Sequence, residues 1–208
     1  GLGILIGAFL RAARYSGVTT YFPLLAYEVG VEQKMVNKVP QFINDALLDY
    51  SIVFEGYEDV IEAWDKVDEK TVDIRLANST HTVKVVLMRL RIKDTDTDVF
   101  IPFITLGQRI AKRLYPSEAT SIERFVQAAF YSRAALAALE AFNVECDIFQ
   151  VHESFPAISL VLDLFENINF NHKAIFQKAK KHIIGFAHTV VPQAFPFYDP
   201  SLIELILE

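Results

Sequence analysis

Hydrophobic positions in the second half of the chain alternate between helical and strand-like spacing. Apolar residues recur at helical intervals over Ile122–Phe142, which predicts the strongest helix of the chain. Two short apolar runs, Asp147–Val151 and Ile183–Ala187, have the length and composition of buried strands. Helical patterns over 155–165 and 173–181 separate these runs. Strands that alternate with helices predict a parallel sheet, so we expect the two strands to be parallel in one sheet.

The fold class that this order predicts is α/β, with a Rossmann-like, doubly wound sheet. From Gln108 onward the predicted elements follow the order α, α, β, α, α, β, α. The middle of the chain, Val60–Ile104, has the spacing of β-hairpins, which we expect to be inserted in this sheet or to flank it. No internal repeat or flexible linker divides the sequence, so residues 1–208 are expected to form one domain.

Segments before this region are assigned from turn residues and β-branched runs. A helix over Ile4–Tyr15 is expected to stop at Ser16-Gly17. Next we expect a strand at Val18–Leu25, a turn at Gly30 followed by a second strand, and a helical segment at Phe42–Leu48. A strand at Val60–Trp64 is expected to end in a charged turn at Asp65–Lys70. The remaining expectations are strands at Thr71–Leu76 and Thr82–Ile92 joined as a hairpin, and a strand at Val99–Ile104.

Composition places the chain among globular proteins with a sizeable core. Of its 208 residues 52% are hydrophobic, and the mean hydropathy is +0.25. The net charge of −6, without a long cluster of lysine and arginine, argues against nucleic acid as a partner. The apolar runs are shorter than the roughly 18 to 20 residues that a membrane span needs. The single cysteine, Cys146, excludes an intrachain disulfide and fits a reducing compartment, which favours the cytoplasm.

Histidines follow both predicted strands at the point where each strand ends. His152 and Glu153 come directly after the first strand, and His188 and Thr189 follow the second. The carboxyl ends of parallel strands share one edge of a sheet, and ligands bind at that edge in open α/β folds. The four residues therefore predict a polar cleft at this edge.

The same residues also fit purely structural roles or a metal site. His188 could be hydrogen-bonded within a turn, and Glu153 or Ser154 could cap a helix. His152, Glu153 and His188 could together bind zinc, since imidazole and carboxylate groups are its usual ligands. No His-x-x-x-His or Cys-x-x-Cys spacing supports this, so no metal site is predicted.

A glycine-containing segment opens the first predicted helix. Gly1-Leu2-Gly3 could hold an anion, because the backbone N–H groups at the start of a helix point outward and the helix dipole attracts negative charge. A tight turn without a ligand is the simpler interpretation of the two glycines.

Four segments of the chain resemble the N-terminal domain of the α-glucan phosphorylases, which act on glycogen, starch and maltodextrin. They are Gly1–Leu5 at the start of a helix, Ile110–Tyr115, Asp147–Glu153 and His188–Ala194. The segments occur in the family's order and at roughly its spacing, across nearly the whole chain. The His-Thr-x-x-Pro pattern that begins at His188 is the most specific, since it separates this family from the glycogen synthases.

The resemblance implies a fold, a reaction and roles for the candidate residues. Members have two Rossmann-like domains with the active site between them, and they cleave a terminal α-1,4-linked glucosyl residue with phosphate to release glucose 1-phosphate. Pyridoxal phosphate would be bound as a Schiff base to a lysine of the C-terminal domain. The Gly1–Gly3 backbone would contact phosphate and sugar, and His188 would contact a sugar hydroxyl. His152 and Glu153 would line the pocket, and Thr189 would hold the turn.

Departures from the family pattern leave three hypotheses. Phe155 stands where the family usually has a histidine, and the sequence contains neither the second domain nor the cofactor lysine. The first strand of the domain is also expected to be missing, so this chain alone is expected to be incomplete for activity. The hypotheses are a part of a phosphorylase, a non-catalytic module for glucan binding or assembly, and a glycogen synthase-like domain. The expected partners are α-glucan, phosphate and the C-terminal domain, with a homo-oligomer left open.

Overall fold

The computed structural model of the chain describes residues 2–47, 61–76, 78–93, 98–105, 121–152, 183–186 and 201. The chain divides into two compact units. The first comprises residues 1–71 and 83–117, and the second comprises residues 72–82 and 118–208. Each unit contains a helix and paired strands, so the class is α/β, as the sequence predicts.

The helices and strands of the described residues lie as follows. They are α1 (Leu2–Tyr15), β1 (Thr20–Tyr21), β2 (Leu24–Ala26), β3 (Val29–Val36), β4 (Val39–Leu47), β5 (Ile61–Leu76), β6 (Ser79–Ile92), β7 (Val99–Thr105), α2 (Ser121–Ala141), β8 (Phe149–His152) and β9 (Ile183–Phe186). Helices α1 and α2 confirm the helices predicted at Ile4–Tyr15 and Ile122–Phe142. The helices predicted at 155–165 and 173–181, and the one predicted to begin at Gln108, lie outside the described residues.

Helix α1 ends at Tyr15, directly before the predicted stop at Ser16-Gly17, and the backbone geometry explains why. Gly17 has a φ of 70°, a left-handed conformation that is strained for residues with a side chain. Its N–H donates to the carbonyl of Arg14, and the N–H of Val18 donates to the carbonyl of Ala13. These two bonds form a Schellman motif, which provides partners for carbonyl groups that the helix itself leaves unpaired.

The core of the first unit is built around β7. β1 and β2 pair with one side of β7 in parallel, β6 pairs with its other side in the antiparallel direction, and β5 lies beyond β6. Val99, Ile101 and Phe103 are buried on one face of β7 and pack against Leu10 of α1 and Trp64 of β5. The rings of Trp64 and Phe103 meet edge to face, with centroids 5.6 Å apart. The strand predicted from this apolar run is confirmed as the central strand of the sheet.

The strand predicted at Val18–Leu25 is interrupted by a proline, so the single-strand prediction is wrong. β1 ends at Tyr21 and β2 begins at Leu24, and both pair with β7 in one continuous register. That register places Pro23 opposite Pro102 of β7. Because proline has no N–H to donate, neither residue can supply a donor to the ladder at this point.

The turn predicted at Gly30 lies further along the chain. Asn37 and Lys38 connect β3 to β4 with φ values of 51° and 65°, and two consecutive left-handed residues are typical of a type I′ hairpin turn. Gly30 lies inside β3 instead, where the register shifts as at a β-bulge. The helical segment predicted at Phe42–Leu48 is also wrong, because residues 42–47 belong to β4 and pair with β3.

The charged segment Asp65–Lys70 lies within β5 and does not form the predicted turn. Among the described strands β5 is at the end of the sheet, where charged side chains hinder pairing with another sheet. The carboxylate of Asp65 accepts two hydrogen bonds from Arg89 of β6, at 3.1 and 2.7 Å. Glu69 lies 2.8 Å from the ammonium group of Lys84, also on β6. These cross-strand ion pairs explain how a charged run is accommodated in a strand.

A group of charged side chains connects α1, β6 and the residue that precedes β7. Nε and Nη2 of Arg91 donate to the carboxylate of Asp98, at 3.0 and 3.2 Å. These bonds hold the pKa of Asp98 below its usual value, against the opposing effect of partial burial. Arg14 of α1 is almost fully buried, attracts Asp98 electrostatically, and donates to the carbonyls of Leu90 and Ile92 at 3.4 Å. The group thereby attaches α1 to the end of β6.

We expect Asp98→Asn to remove a pH-dependent contribution to stability. Because folding lowers the Asp98 pKa, the ionised carboxylate stabilises the folded state above the unfolded-state pKa of about 4. This contribution is lost as the pH falls through the lower, folded-state pKa. At pH 7 the variant should be less stable by about 1 to 2 kcal/mol, and the difference should shrink below about pH 4. Urea unfolding of both proteins at pH 7 and pH 3 measures it.

Asp73→Asn is the control for this prediction. Asp73 is exposed on β5, and its carboxylate accepts a hydrogen bond from the Thr82 hydroxyl at 2.6 Å. Asparagine retains an oxygen that can accept this bond, so little change in stability is expected. A penalty for Asp98→Asn that is equal at both pH values would contradict the role of its charge.

Helix α2 packs against the end of the β5–β6 hairpin within the second unit. The ring of Phe130 is fully buried and meets the His81 ring edge to face, with centroids 5.6 Å apart. Arg133 of α2 donates to the carbonyl of Arg75 in β5 at 2.8 Å. The hairpin predicted in this region is confirmed, with its turn at Asn78.

β8 and β9 form a parallel pair in the second unit, as the sequence predicts. The register runs from Phe149 opposite Ile183 to His152 opposite Phe186. Val151, between the ends of β8, is buried. The pairing confirms the orientation that was predicted from two apolar runs separated by helical patterns.

Candidate functional site

The parallel register brings the ends of β8 and β9 to one edge. His152 is the last residue of β8 and is paired with Phe186, the last residue of β9. The chain continues from this edge into Glu153 on one strand and, after Ala187, into His188 on the other. Both segments with a histidine therefore leave the same edge.

His152 is in contact with a neighbouring amide at this edge. Alternate residues of a strand share a face, so Gln150 and His152 lie on one side of β8 and Val151 on the other. Nε2 of Gln150 lies 2.8 Å from Nε2 of His152, which is hydrogen-bond distance. Both side chains are half-buried, and Val151 is 3% exposed. Because Val151 is buried on one face of β8, Gln150 and His152 lie on the opposite face.

The predicted site residues are only partly described. The structure describes His152 and the backbone of Leu2 and Gly3, whereas Gly1, Glu153, His188 and Thr189 lie outside the described residues. Helix α1 begins at Leu2 and has no acidic residue in its first turn, so its unpaired N–H groups could attract an anion. This helix belongs to the first unit, and β8 and β9 belong to the second. The predicted convergence of these residues on one pocket stays a prediction.

An open groove of about 410 Å³ lies at the C-terminal end of α2. It is lined by Leu136, Leu139, Glu140, Asn143, Val144, Glu145 and Phe149. Asn143 has a φ of 54°, and its N–H donates to the carbonyl of Glu140 where the helix ends. Phe149 is the first residue of β8, so the groove lies at the opposite end of this strand from His152. The sequence pattern does not predict the groove, because its lining residues are ordinary for a helix end.

The described residues give little support for nucleophilic or metal chemistry. Burial raises the pKa of the Cys146 thiol, with a further contribution from the charge of Asp147, so the reactive thiolate is disfavoured at neutral pH. In the described part of the chain, no three histidine, cysteine, aspartate or glutamate side chains are grouped so that they could hold a metal ion. The zinc hypothesis also depends on Glu153 and His188, which lie outside that part.

No helix of the described residues combines the length and the apolar character needed to cross a bilayer.

Comparisons with known proteins show a limited likeness to a glucan synthase. No protein-family model matches the chain, and a search of curated proteins finds no match. Among solved structures, the catalytic domain of starch synthase IV from Arabidopsis thaliana, bound to ADP and acarbose, is similar over 86% of this chain, with 15% sequence identity and a TM-score of 0.47. The chain spans 28% of the length of that structure.

Proposed function

We propose that the chain is part of an α-glucan phosphorylase-like glycosyltransferase, which cleaves terminal α-1,4-linked glucosyl residues with phosphate and releases glucose 1-phosphate. The observation that carries the proposal is the parallel pairing of β8 with β9, with His152 in register with Phe186. Of the segments that resemble the family, Asp147–Glu153 contains β8 and reaches this edge at its C-terminal end, and His188–Ala194 follows β9 along the chain. The carboxyl edge is also where open α/β sheets bind ligands, which supports a site there.

In this proposal the residues that follow the edge bind the glucosyl unit and the phosphate. His188 forms a hydrogen bond to a sugar hydroxyl, Glu153 and His152 line the pocket, and Thr189 holds the turn. Positive charge develops on the sugar ring as the glycosidic bond breaks, in an oxocarbenium-like transition state. Polar groups that are already oriented toward this charge lower the barrier, because they need no reorganisation during the reaction.

The proposal implies pyridoxal phosphate as the cofactor, bound to a lysine as a Schiff base. The described residues of the β8–β9 pair contribute an imidazole and an amide at the edge, and no lysine. These groups fit contacts with a sugar and with phosphate, and they do not fit a Schiff-base site. In the proposal, the cofactor lysine belongs to a C-terminal domain, as the resemblance to the phosphorylases implies.

Two alternative functions make different predictions for the same experiment. A non-catalytic module that binds glucan is favoured by Phe155, which replaces the histidine usual in the family. A glycogen synthase-like domain would transfer glucosyl units from a sugar nucleotide to a glucan, with no role for phosphate as acceptor.

The full-length protein should release glucose 1-phosphate from a maltooligosaccharide when phosphate and pyridoxal phosphate are supplied. Coupled detection of glucose 1-phosphate gives the rate, and the same mixture without phosphate is the control. Glucan binding without turnover would support the non-catalytic module. Transfer from a nucleoside diphosphate glucose without phosphorolysis would support the synthase-like domain, and either outcome would contradict the proposal.

A further inference from the structure

The groove at the C-terminal end of α2 combines apolar surface with two carboxylates. Leu139, Val144 and Phe149 line it, and Leu139 is buried. The N–H of Val144 donates to the carbonyl of Leu139 at 2.9 Å, which is one of the two hydrogen bonds of a Schellman motif. This motif frequently brings the two side chains at these positions into hydrophobic contact. Glu140 and Glu145 line the same groove and are exposed.

The electrostatics of this acidic groove favour a cation. The C-terminal end of a helix carries a partial negative charge that attracts basic side chains, and the last turn of α2 contains none. Glu140 lies in that turn, so its charge adds to that of the helix end. The described lining residues include no lysine, arginine or histidine, and neither Glu140 nor Glu145 forms an ion pair with a residue that the structure describes. The groove therefore suits a partner that has both positive charge and apolar surface.

The tip of the β3–β4 hairpin, residues 35–40, has this chemistry. Val36 and Val39 are opposite each other in the register, so their side chains lie next to each other on one face. They are 40% and 58% exposed, and Met35 is 66% exposed. Lys38 belongs to the turn and is also exposed. The hairpin tip therefore presents an apolar pair beside an ammonium group.

We propose that the hairpin tip of one copy of the chain binds the acidic groove of a second copy. The two valines cover the apolar lining, and the ammonium group of Lys38 pairs with Glu140 and Glu145. A groove of about 410 Å³ has the size of a small-ligand pocket, which suits a few side chains of a hairpin. Because tip and groove are different surfaces, the contact is heterologous and joins copies head to tail. The interface is small, so its Kd should be above about 1 µM. This inference does not depend on the proposed function.

Sedimentation equilibrium of the full-length protein over a range of concentrations tests the contact by charge reversal. Lys38→Glu should raise the Kd of self-association by roughly tenfold, because attraction to two carboxylates becomes repulsion. Glu140→Lys combined with Glu145→Lys should do the same without weakening α2, since lysine suits the end of a helix. The variant with all three changes reverses both partners and should regain the wild-type Kd. Lys93→Glu and Glu28→Lys make the same charge changes at other exposed positions and should leave the Kd unchanged.

Several outcomes would overturn the proposal. They are a monomeric wild type, charge-reversed variants that associate as the wild type does, and a triple variant that stays dissociated. If a variant does not fold, the wild type decides, because association through these exposed charges should weaken as salt is raised and constant association would contradict it. A peptide of alternating lysine and leucine is the probe for a different protein partner, and octylamine is the probe for a small organic cation. Binding of either probe to a wild type that does not self-associate would assign the groove to that occupant and contradict binding of a second copy.

Discussion

Phe130→Ala should destabilise the second unit by about 3 to 5 kcal/mol. The ring is 0% exposed and meets His81 edge to face at 5.6 Å. Alanine would remove the buried aromatic area and leave a cavity that its neighbours fill only in part. Ala134 and Ala138, one and two turns further along α2, are also fully buried and too small to fill it. Urea unfolding followed by circular dichroism measures the change in the free energy of unfolding.

Phe9→Ala is the matched control for this prediction. The Phe9 side chain lies on α1 and is 42% exposed, so the same truncation should cost only about 1 kcal/mol. Equal losses in the two variants would contradict the packing of α2 around Phe130. A loss confined to Phe130→Ala would support it.

Elements with a clear local pattern of hydrophobic residues could be predicted from the sequence. Strands β8 and β9 are examples. Their apolar runs and the helical patterns between them were sufficient to predict a parallel pair. The charged run at Asp65–Lys70 could not be assigned in this way. It is stable as a strand because Arg89 and Lys84 of β6 provide partners, and this information is not present in the run itself.

Turn chemistry accounts for the other differences between prediction and structure. Gly30 favours a turn because glycine can adopt left-handed backbone conformations without steric strain. The residues that are left-handed in the turn are Asn37 and Lys38. The break between β1 and β2 was visible locally as Pro23. That Pro23 lies opposite Pro102 is shown only by the register.

The candidate site was predictable at the level of strand ends and not at the level of contacts. A histidine after an apolar run is a local signal, and the register of His152 with Phe186 agrees with it. The hydrogen bond between Gln150 and His152 depends on the extended backbone and on both rotamers, so no motif indicates it. The groove at the end of α2 depends on how the helix meets β8, which is likewise a tertiary feature.

In the full-length protein, His188→Ala should slow phosphorolysis of a maltooligosaccharide by about 10²- to 10³-fold. β9 ends at Phe186, so His188 follows the edge after one intervening residue. In the proposed site, its imidazole accepts a hydrogen bond from a sugar hydroxyl, and this bond strengthens because the hydroxyl becomes a better donor as positive charge develops. Loss of one such oriented contact costs roughly 2 to 4 kcal/mol in the transition state. Initial rates over a range of substrate concentrations give kcat and KM separately.

His172→Ala is the matched control, because it removes the same side chain from a segment outside the motifs that resemble the family. Its kcat should stay close to that of the wild type, and both variants should keep the thermal unfolding midpoint of the wild type. Equal losses of activity in the two variants would show that the site assignment is wrong. A higher KM for His188→Ala with an unchanged kcat would show that the contact stabilises substrate and transition state equally. Only a lower kcat connects this edge of the sheet to catalysis, since an enzyme accelerates the chemical step only through interactions that are stronger in the transition state.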